Sequence, residues 1–306
     1  MFQIERINRA LGQVMRQNAA GELEYLTFPA LEDTGMVEHL FTTRSGGVSK
    51  GIFESMNLSY TRGDDAEHVY SNYLRVAEIL HCSPKDMVVS QQTHTANIRY
   101  VTEEDRGKGV VRPLDYENVD GLVTDRKGLA LVTLYADCVP LYFLDPVHCA
   151  VGLAHSGWRG TVQEIGRKMT ETMTLQFGTD PEDLVAAIGP SICQDCYEVS
   201  GDVAEEFRAL QEENGEYLRE IQESKKLSVQ GGGRPVQVIL PGRKEGKYQL
   251  DLWLANLLVL RKAGIKLDHI SVTDLCTCHN PGYLFSHRAS NGKRGNLGAF
   301  LMLKKS

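Results

Sequence analysis

The chain has 306 residues, 42% of them hydrophobic, enough to bury a large core in one domain or two modest ones. Its 33 basic and 40 acidic side chains leave a net charge of −7, which gives no general pull toward a phosphate backbone or an anionic membrane, so neither nucleic acid nor membrane is an expected partner. The opening MFQIERINRALGQVMRQNAAGELEYLTF carries charges throughout and no continuous apolar core; no secretory signal and a cytoplasmic location are expected, and the 7 cysteines then read as free thiols or metal ligands rather than a disulfide framework.

Residues 1–30 combine an amphipathic opening with a Gly-Glu turn and predict an N-terminal hairpin or helix leading into the main fold. VEHLFTTR (37–44) has strand character. The SGGVSKG that follows is a glycine-rich loop whose backbone N–H groups suit an anion, although an ordinary turn has the same composition. In DAEHVYSNYLRVAEILHC (65–82), Val69, Tyr73, Val76, Ile79 and Leu80 recur at helical spacing, so an amphipathic helix is expected against a sheet. MVVSQQTHTANIRYVT (87–102) returns to β-branched alternation, and the charged piece 103–120 reads as a surface excursion. Three runs of strand length follow, LALVTLY, VPLYFLD and HCAVGLAH, separated by Asp-Cys and Asp-Pro turns. The acids, His148 and the prolines that interrupt them argue against a membrane span. Next come a helix over Trp158–Phe177, a strand in DLVAAIGP (183–190) and a helix opening at VAEEFRAL. Residues 222–247, with QESKKLSVQGGGRP near their start, read as a surface insertion. LDLWLANLLVLRKAG (250–264) predicts an amphipathic helix, HISVTDLCT (269–277) a strand and NLGAFLML (296–303) a last strand. With no internal repeat or linker, one mixed α+β domain is the economical architecture.

The stretch ADCVPLYFLDPVHCAVGLAHSGWRG (136–160) looks built for burial, yet it carries Asp137, Cys138, Asp145, His148, Cys149, His155 and Arg159. Cys138 falls at a turn between predicted strands and His155 at a strand end, where side chains converge on one rim of a sheet. His94, near the middle of another strand-like segment, can approach the same rim. Three readings are open on these residues. Two imidazoles and a thiolate form a set that holds a catalytic Zn²⁺ with a fourth position left for water or substrate, and such an ion acidifies water or polarises an oxygen. The spacings of 44 and 17 residues match no short zinc-finger pattern, and hydrogen-bonded core histidines beside a small buried cysteine fit equally. The third reading is a Cys138 thiolate activated by His155, with Asp137 or His94 orienting it. Elsewhere, Cys193 and Cys196 form a CxxC, and Cys276 and Cys278 a CxC with His279 and His287 nearby. Those four thiols suit either a structural zinc or an unpaired reduced state. Arg44, Arg159 and Arg288 are cations able to fork a phosphate, or to serve as surface ion-pair partners.

Taken in order, FTTRSGGVSKGIFESMNLSY, QQTHTANI, DGLVTD, ADCVPLYFLDP, AVGLAHSGWRGT, AAIGPSICQDCYEV and CTC followed by YLFSHRASNGKRG resemble the polyphenol oxidase/laccase-domain family from about residue 37 to the end. ADCVP and AHSGWRG are the most specific pieces. The resemblance implies a single-domain four-layer α/β/β/α sandwich with mixed sheets, an N-terminal extension (1–36) packed on a main domain (37–306), and a metal site on His94, Cys138 and His155. It further implies a zinc-dependent purine nucleoside phosphorylase acting on adenosine, inosine, guanosine and S-methyl-5′-thioadenosine, with adenosine deaminase activity. Purine nucleosides and phosphate are the implied partners. The family's older label makes Cu²⁺ the alternative metal and phenol oxidation an alternative activity, but the His-x-His pairs of a multicopper cluster are missing from the sequence.

Under the nucleoside reading, Zn²⁺ orients phosphate toward the ribose C1′ or water toward purine C6. Cys138 is its thiolate ligand, and Asp137 either transfers a proton or orients a histidine. Arg44, Arg159 and Arg288 are the substrate-binding residues, with Arg44 and Arg288 neutralising phosphate. Two rivals compete: a metal-free cysteine hydrolase or amidase using Cys138 and His155, and a non-catalytic partner-binding protein whose metal is structural.

Overall fold

The computed structural model describes residues 3–7, 15–224 and 236–305. Gly231–Gly233 and most of the polar run around them lie outside the described residues. The apolar runs fold as β1 (Arg16–Ala20), β2 (Leu23–Thr27), β3 (Val37–Thr42), β4 (Met87–Val89), β5 (Ile98–Tyr100), β6 (Gly121–Thr124), β7 (Ala130–Tyr135) and β8 (Val139–Asp145). They continue as β9 (Ala150–Ser156), β10 (Val185–Ile188), β11 (Glu198–Ser200), β12 (Ile239–Pro241), β13 (Lys247–Leu250), β14 (Ile270–Val272) and β15 (Leu297–Leu303). The helices are α1 (Pro29–Glu32), α2 (Ala66–Ile79), α3 (Trp158–Val162), α4 (Ile165–Phe177), α5 (Gly201–Glu213), α6 (Gly215–Ser224) and α7 (Leu252–Lys262).

Two six-stranded sheets run in the orders β1-β2-β3-β15-β7-β4 and β14-β10-β8-β9-β6-β5, and β11, β13 and β12 form a small third sheet. Antiparallel pairs dominate, while β4 with β7, β5 with β6 and β10 with β14 are parallel, so both large sheets are mixed. Period-two alternation assigns each strand's side chains to two different cores. In β15, Leu297, Ala299 and Leu301 face the core between the sheets, whereas Phe300 and Met302 join Val69, Tyr73 and Val76 of α2. In β8, Tyr142 and Leu144 face the same inter-sheet core, whereas Leu141 and Phe143 pack with Met169 of α4 and Leu258 of α7. The layers are therefore α2, first sheet, second sheet, and α3 to α7, the four-layer α/β/β/α sandwich. Strands buried on both faces need apolar residues at every position, which is why 129–155 reads as nearly continuous hydrophobic runs. Each such Leu or Phe contributes about 1.5–3 kcal/mol.

Several local expectations are redrawn. The predicted strand over 87–102 is two short strands in different sheets, with residues 90–97 crossing between them, so His94 lies in a loop and not mid-strand. The single helix expected over Trp158–Phe177 breaks at Glu164, whose φ of +56° is left-handed and whose carboxylate accepts from Lys262 at 2.6 Å. The helix expected to be amphipathic over 250–264 is buried continuously from Leu252 to Leu260, because α3 to α6 enclose the side turned away from the sheet. Only Ile270–Val272 of the strand expected over 269–277 is regular; the chain then turns sharply. Within the expected insertion at 222–247, β12 and the start of β13 are ordered and extend the small sheet. Residues 16–27 form the predicted N-terminal hairpin, which adds β1 and β2 to the first sheet beside β3.

The glycine-rich loop after β3 does not present its amides to an anion. Gly47 N donates to Ser55 Oγ at 3.0 Å, Val48 N to Asn72 Oδ1 at 2.9 Å and Ser49 N to Ser55 O at 2.9 Å. Gly46, at φ +80°, is required because a Cβ there would meet the Leu23 Cα at 2.3 Å. No helix among the described residues is long and apolar enough to cross a membrane, and all 7 cysteines are free thiols.

Candidate metal centre and its cleft

The sandwich brings together residues from the places where the chain passes from one sheet to the other. Cys138 ends the turn from β7 in the first sheet to β8 in the second, His94 lies in the crossing from β4 to β5, and His155 is the penultimate residue of β9. Their ligand atoms all lie within 4.8 Å of one another, with His94 exposed, Cys138 half-buried and His155 buried. Cys138 Sγ stands 4.0 Å from His94 Nε2, and the two imidazole rings meet edge to face at 5.0 Å. Two nitrogens and one sulfur at this separation fit a single cation, and the mix of imidazole and thiolate suits zinc.

Asp120, a residue the sequence analysis gave no role, organises this constellation. It is fully buried just before β6. Its Oδ1 accepts from His155 Nδ1 at 2.9 Å and from His94 N at 3.1 Å. Its Oδ2 accepts from Thr93 N at 3.1 Å and from Thr95 N and Oγ1, both at 2.8 Å. The carboxylate thus fixes the His155 tautomer, leaving Nε2 as the nitrogen free to ligate. It also holds the His94 loop, where His94 adopts a left-handed φ of +64° that a non-glycine residue takes only when its surroundings enforce it. Asp120 sits within DGLVTD, a segment that carries the family resemblance; an acid directly before a buried strand was the available signal.

Electrostatics follow from the same contacts. Burial alone raises the Cys138 thiol, but the charge and hydrogen bond of His155 and the hydrogen bond of His94 outweigh it and bring the group from 9.0 down to about 6. Burial opposes protonation of His155, while Cys138 and Asp120 together raise it from 6.5 to about 9. Burial likewise works against the Asp120 carboxylate, yet His155 and the Thr95 and Thr93 amides hold it at about 2. Both directions favour a thiolate–imidazolium pair of Cys138 and His155.

Asp137 adjoins the thiolate at a left-handed φ of +88°. One carboxylate oxygen accepts from Thr277 Oγ1 at 2.6 Å and the other from Arg288 N at 2.7 Å, while its carbonyl accepts from Ile192 N at 3.0 Å. The side chain is thereby tied to two neighbouring loops. Gly157 closes the other side: a Cβ there would lie 2.8 Å from His94 Cδ2 and 3.2 Å from Cys138 Sγ.

The three metal-ligand residues line a cleft of about 380 Å³, a size suited to a small organic ligand. Leu58, Leu114, Leu134 and Tyr60 give it apolar walls, and Gln91, Gln92, Asn296, Arg62 and Arg294 bring polar groups. Burial and the neighbouring Arg62 charge lower Arg294 to about 10, and its Nε is buried without a hydrogen-bond partner among the described residues. The arginines singled out from the sequence are not lining residues of this cleft. Arg44 donates to the carbonyls of Glu54 and Pro281 and stacks on Phe285. Arg159 lies over Trp158, and Arg288 lies over Tyr197 while donating to the Cys196 and Glu198 carbonyls.

Comparison with known proteins places this geometry. The family model described as multi-copper polyphenol oxidoreductase laccase matches residues 38–304. The purine nucleoside phosphorylase YlmD of Bacillus subtilis is 37% identical over 272 residues, covering 87% of this chain and 88% of that protein. The adenosine deaminase RL5, from an unknown prokaryotic organism, is 30% identical over 269 residues, covering 87% of this chain and 94% of its own. The crystal structure of the Bacillus licheniformis hypothetical protein YfiH superposes with a TM-score of 0.80 at 35% identity, covering 95% of this chain and 99% of its own.

Proposed function

The chain belongs to the multi-copper polyphenol oxidoreductase laccase family, and from that premise and the cleft geometry we propose a zinc-dependent purine nucleoside phosphorylase that also deaminates adenosine. The observation that carries the reading is the convergence of His94, Cys138 and His155 in a cleft that also holds Arg62 and Arg294. Adenosine, inosine, guanosine and S-methyl-5′-thioadenosine are the proposed nucleosides. In the proposed organisation, residues 1–36 form an extension on a catalytic domain spanning 37–306, which accords with the family match beginning at residue 38.

His94, Cys138 and His155 would hold the zinc, which would supply a Lewis acid able to polarise oxygen and acidify water. Arg62 and Arg294 draw in phosphate, whose charge relieves the repulsion between the two guanidiniums. The apolar walls sandwich the purine, and Gln91, Gln92 and Asn296 supply hydrogen bonds to base edge or ribose. A phosphate oxygen bonds to C1′ as the C1′–N9 bond breaks, and the purine departs with one proton, leaving ribose 1-phosphate. In deamination water adds at C6 and ammonia leaves. Asp137, with both oxygens committed, positions the Cys138 turn rather than carrying the proton. The phosphate role assigned from sequence to Arg44 and Arg288 is proposed instead for Arg62 and Arg294, because the latter pair line the cleft beside His94, Cys138 and His155 and the former do not.

The thiolate–imidazolium pair supports a second reading, a metal-free cysteine nucleophile. One experiment separates the two: metal-quantified protein is incubated with adenosine, with and without phosphate, and the products are resolved. Phosphate-dependent release of adenine with ribose 1-phosphate, together with inosine, supports the proposal. Adenine release indifferent to phosphate removes the phosphorylase half, and turnover by metal-free protein that alkylation of Cys138 abolishes favours the thiol.

A further inference from the structure

Beyond the cleft, a second group of metal-binding residues is assembled by two turns at the ends of adjacent strands. β10 and β14 pair in parallel, and the chain leaving each of them bends back within a few residues. The two exits are stitched together by a bridge between Ser191 and Cys276 and by Thr277 N donating to Ser191 O at 3.1 Å. The first exit carries Cys193 and Cys196 around a single 3₁₀ turn, Gln194–Cys196. The second carries Cys276 and His279 around a hydrogen-bonded turn. One ligand atom from each of Cys193, Cys196, Cys276 and His279 lies within 4.8 Å of the other three. The sequence offers C-x-x-C and C-x-C, but folding regroups the second pair as C-x-x-H, with Cys278 left out of the four.

We propose that Cys193, Cys196, Cys276 and His279 form a second, structural metal site of the Cys₃His type, taking Zn²⁺.

Four features support it. Two C-x-x-C/H turns facing each other are the arrangement by which short loops present four tetrahedral ligands to zinc. Cys193 and Cys276 are buried, and three sulfurs in mutual reach either repel as thiolates or waste weak S–H donors, a conflict that one divalent cation resolves. Cys276 Sγ already accepts the Cys193 N–H at 3.3 Å, which fixes that sulfur between the two turns. His279 Nδ1 is buried with no hydrogen-bond partner among the described residues, and its ion-pair neighbour Glu5 Oε1 stands 3.9 Å away, beyond hydrogen-bond reach.

The site has a mechanical consequence for the cleft. Thiol ligands flank two of the three groups that grip Asp137: Ile192, whose N–H donates to the Asp137 carbonyl, precedes Cys193, and Thr277, whose hydroxyl donates to its carboxylate, follows Cys276. A metal there clamps the two loops against the turn that presents Cys138.

The test counts metal in protein purified without added zinc. The wild type is expected to carry two equivalents of zinc, Cys138→Ala one, and the double variant Cys193→Ser, Cys196→Ser one. Because the double variant has the option of misfolding, the Cys138→Ala protein is also exchanged with Co²⁺. Thiolate-to-cobalt charge transfer and strong tetrahedral ligand-field bands are expected from a protein that has lost the first site's sulfur. Zinc at one equivalent in the wild type and none in Cys138→Ala overturns the inference. So does a Cys193–Cys196 or Cys193–Cys276 disulfide found by mass spectrometry of the alkylated native protein. Failure of the first site alone reads differently, as one equivalent that survives in Cys138→Ala.

Discussion

Replacing Asp120 by Asn separates charge and acceptor geometry from volume at the residue that holds both imidazole ligands in place. The carboxylate accepts on both oxygens: from His155 Nδ1 and His94 N on one, and from Thr93 N and Thr95 N and Oγ1 on the other. The amide keeps one acceptor and turns the other into a donor. If the NH₂ takes the second position, the Thr93 and Thr95 amides lose their acceptor. If it takes the first, His94 N is orphaned and His155 must accept at Nδ1, which moves its proton to the nitrogen that ligates. A buried orphan costs about 1–3 kcal/mol, and because Thr93 and His94 are exposed and Thr95 half-buried, water offsets part of the loss and a stability loss of about 1–3 kcal/mol is expected. Metal affinity is expected to fall about 10–100-fold, as when the partner of a ligating histidine is lost. Competition with a chromophoric chelator measures the affinity, and urea unfolding of the chelator-treated protein the stability. Unchanged affinity in a folded Asp120→Asn protein would refute the claim that this carboxylate organises the site.

Three other outcomes follow from single contacts. Arg294→Ala removes a charged donor facing the cleft, worth about 1.5–3 kcal/mol, so KM for phosphate should rise about 10–150-fold while water-dependent deamination changes little; steady-state kinetics with phosphate varied measures it. Gly157→Ala places a methyl against His94 and Cys138 and should weaken metal binding by about tenfold or more with little change in the unfolding of metal-free protein; isothermal titration reads the first and differential scanning calorimetry the second. Burial and, secondarily, Lys304 lower His39 to about 3, and its neutral Nε2 accepts Phe28 N at 2.8 Å. A depressed histidine gives stability present above its unfolded value near 6.5 and lost as pH falls toward 3, at about 1.4 kcal/mol per unit. The stability advantage of wild type over His39→Gln should therefore shrink between pH 6.5 and 4 in equilibrium unfolding. The half-buried Asp251, raised to about 6, acts with the opposite sign but is common to both proteins and cancels.

Much of the molecule was legible from residue patterns, for identifiable reasons. The long runs of β7, β8, β9 and β15 announced themselves because strands buried on both faces are apolar at nearly every position. The helix over 66–79 followed from one apolar stripe meeting one sheet. The failures lie where tertiary surroundings overrule local pattern. Segment 87–102 has strand composition at both ends, and nothing in it says that its middle leaves one sheet for the other, since that crossing is enforced by Asp120 from 26 residues beyond His94. Periodicity in 250–264 marks the face on the sheet but not the cover of helices on the far side. At the centre itself, ligand-type residues pointed to His94, Cys138 and His155, whereas Asp120 acts through partners 25 to 35 residues away in sequence. The arginines chosen from sequence had chemistry in their favour, but only the fold shows which guanidiniums are already occupied. The cysteine pairs were visible as motifs, yet the pairing of Cys276 with His279 rather than Cys278 depends on the turn after β14.

The central claim is that His94, Cys138 and His155 grip one zinc ion at the head of the cleft. Anomalous diffraction collected on either side of the zinc absorption edge, from crystals of protein purified without added metal, tests it most directly. A zinc-specific peak bonded to His94 Nε2, Cys138 Sγ and His155 Nε2 is the predicted result. The absence of such a peak there, or a copper-edge signal in its place, would contradict it.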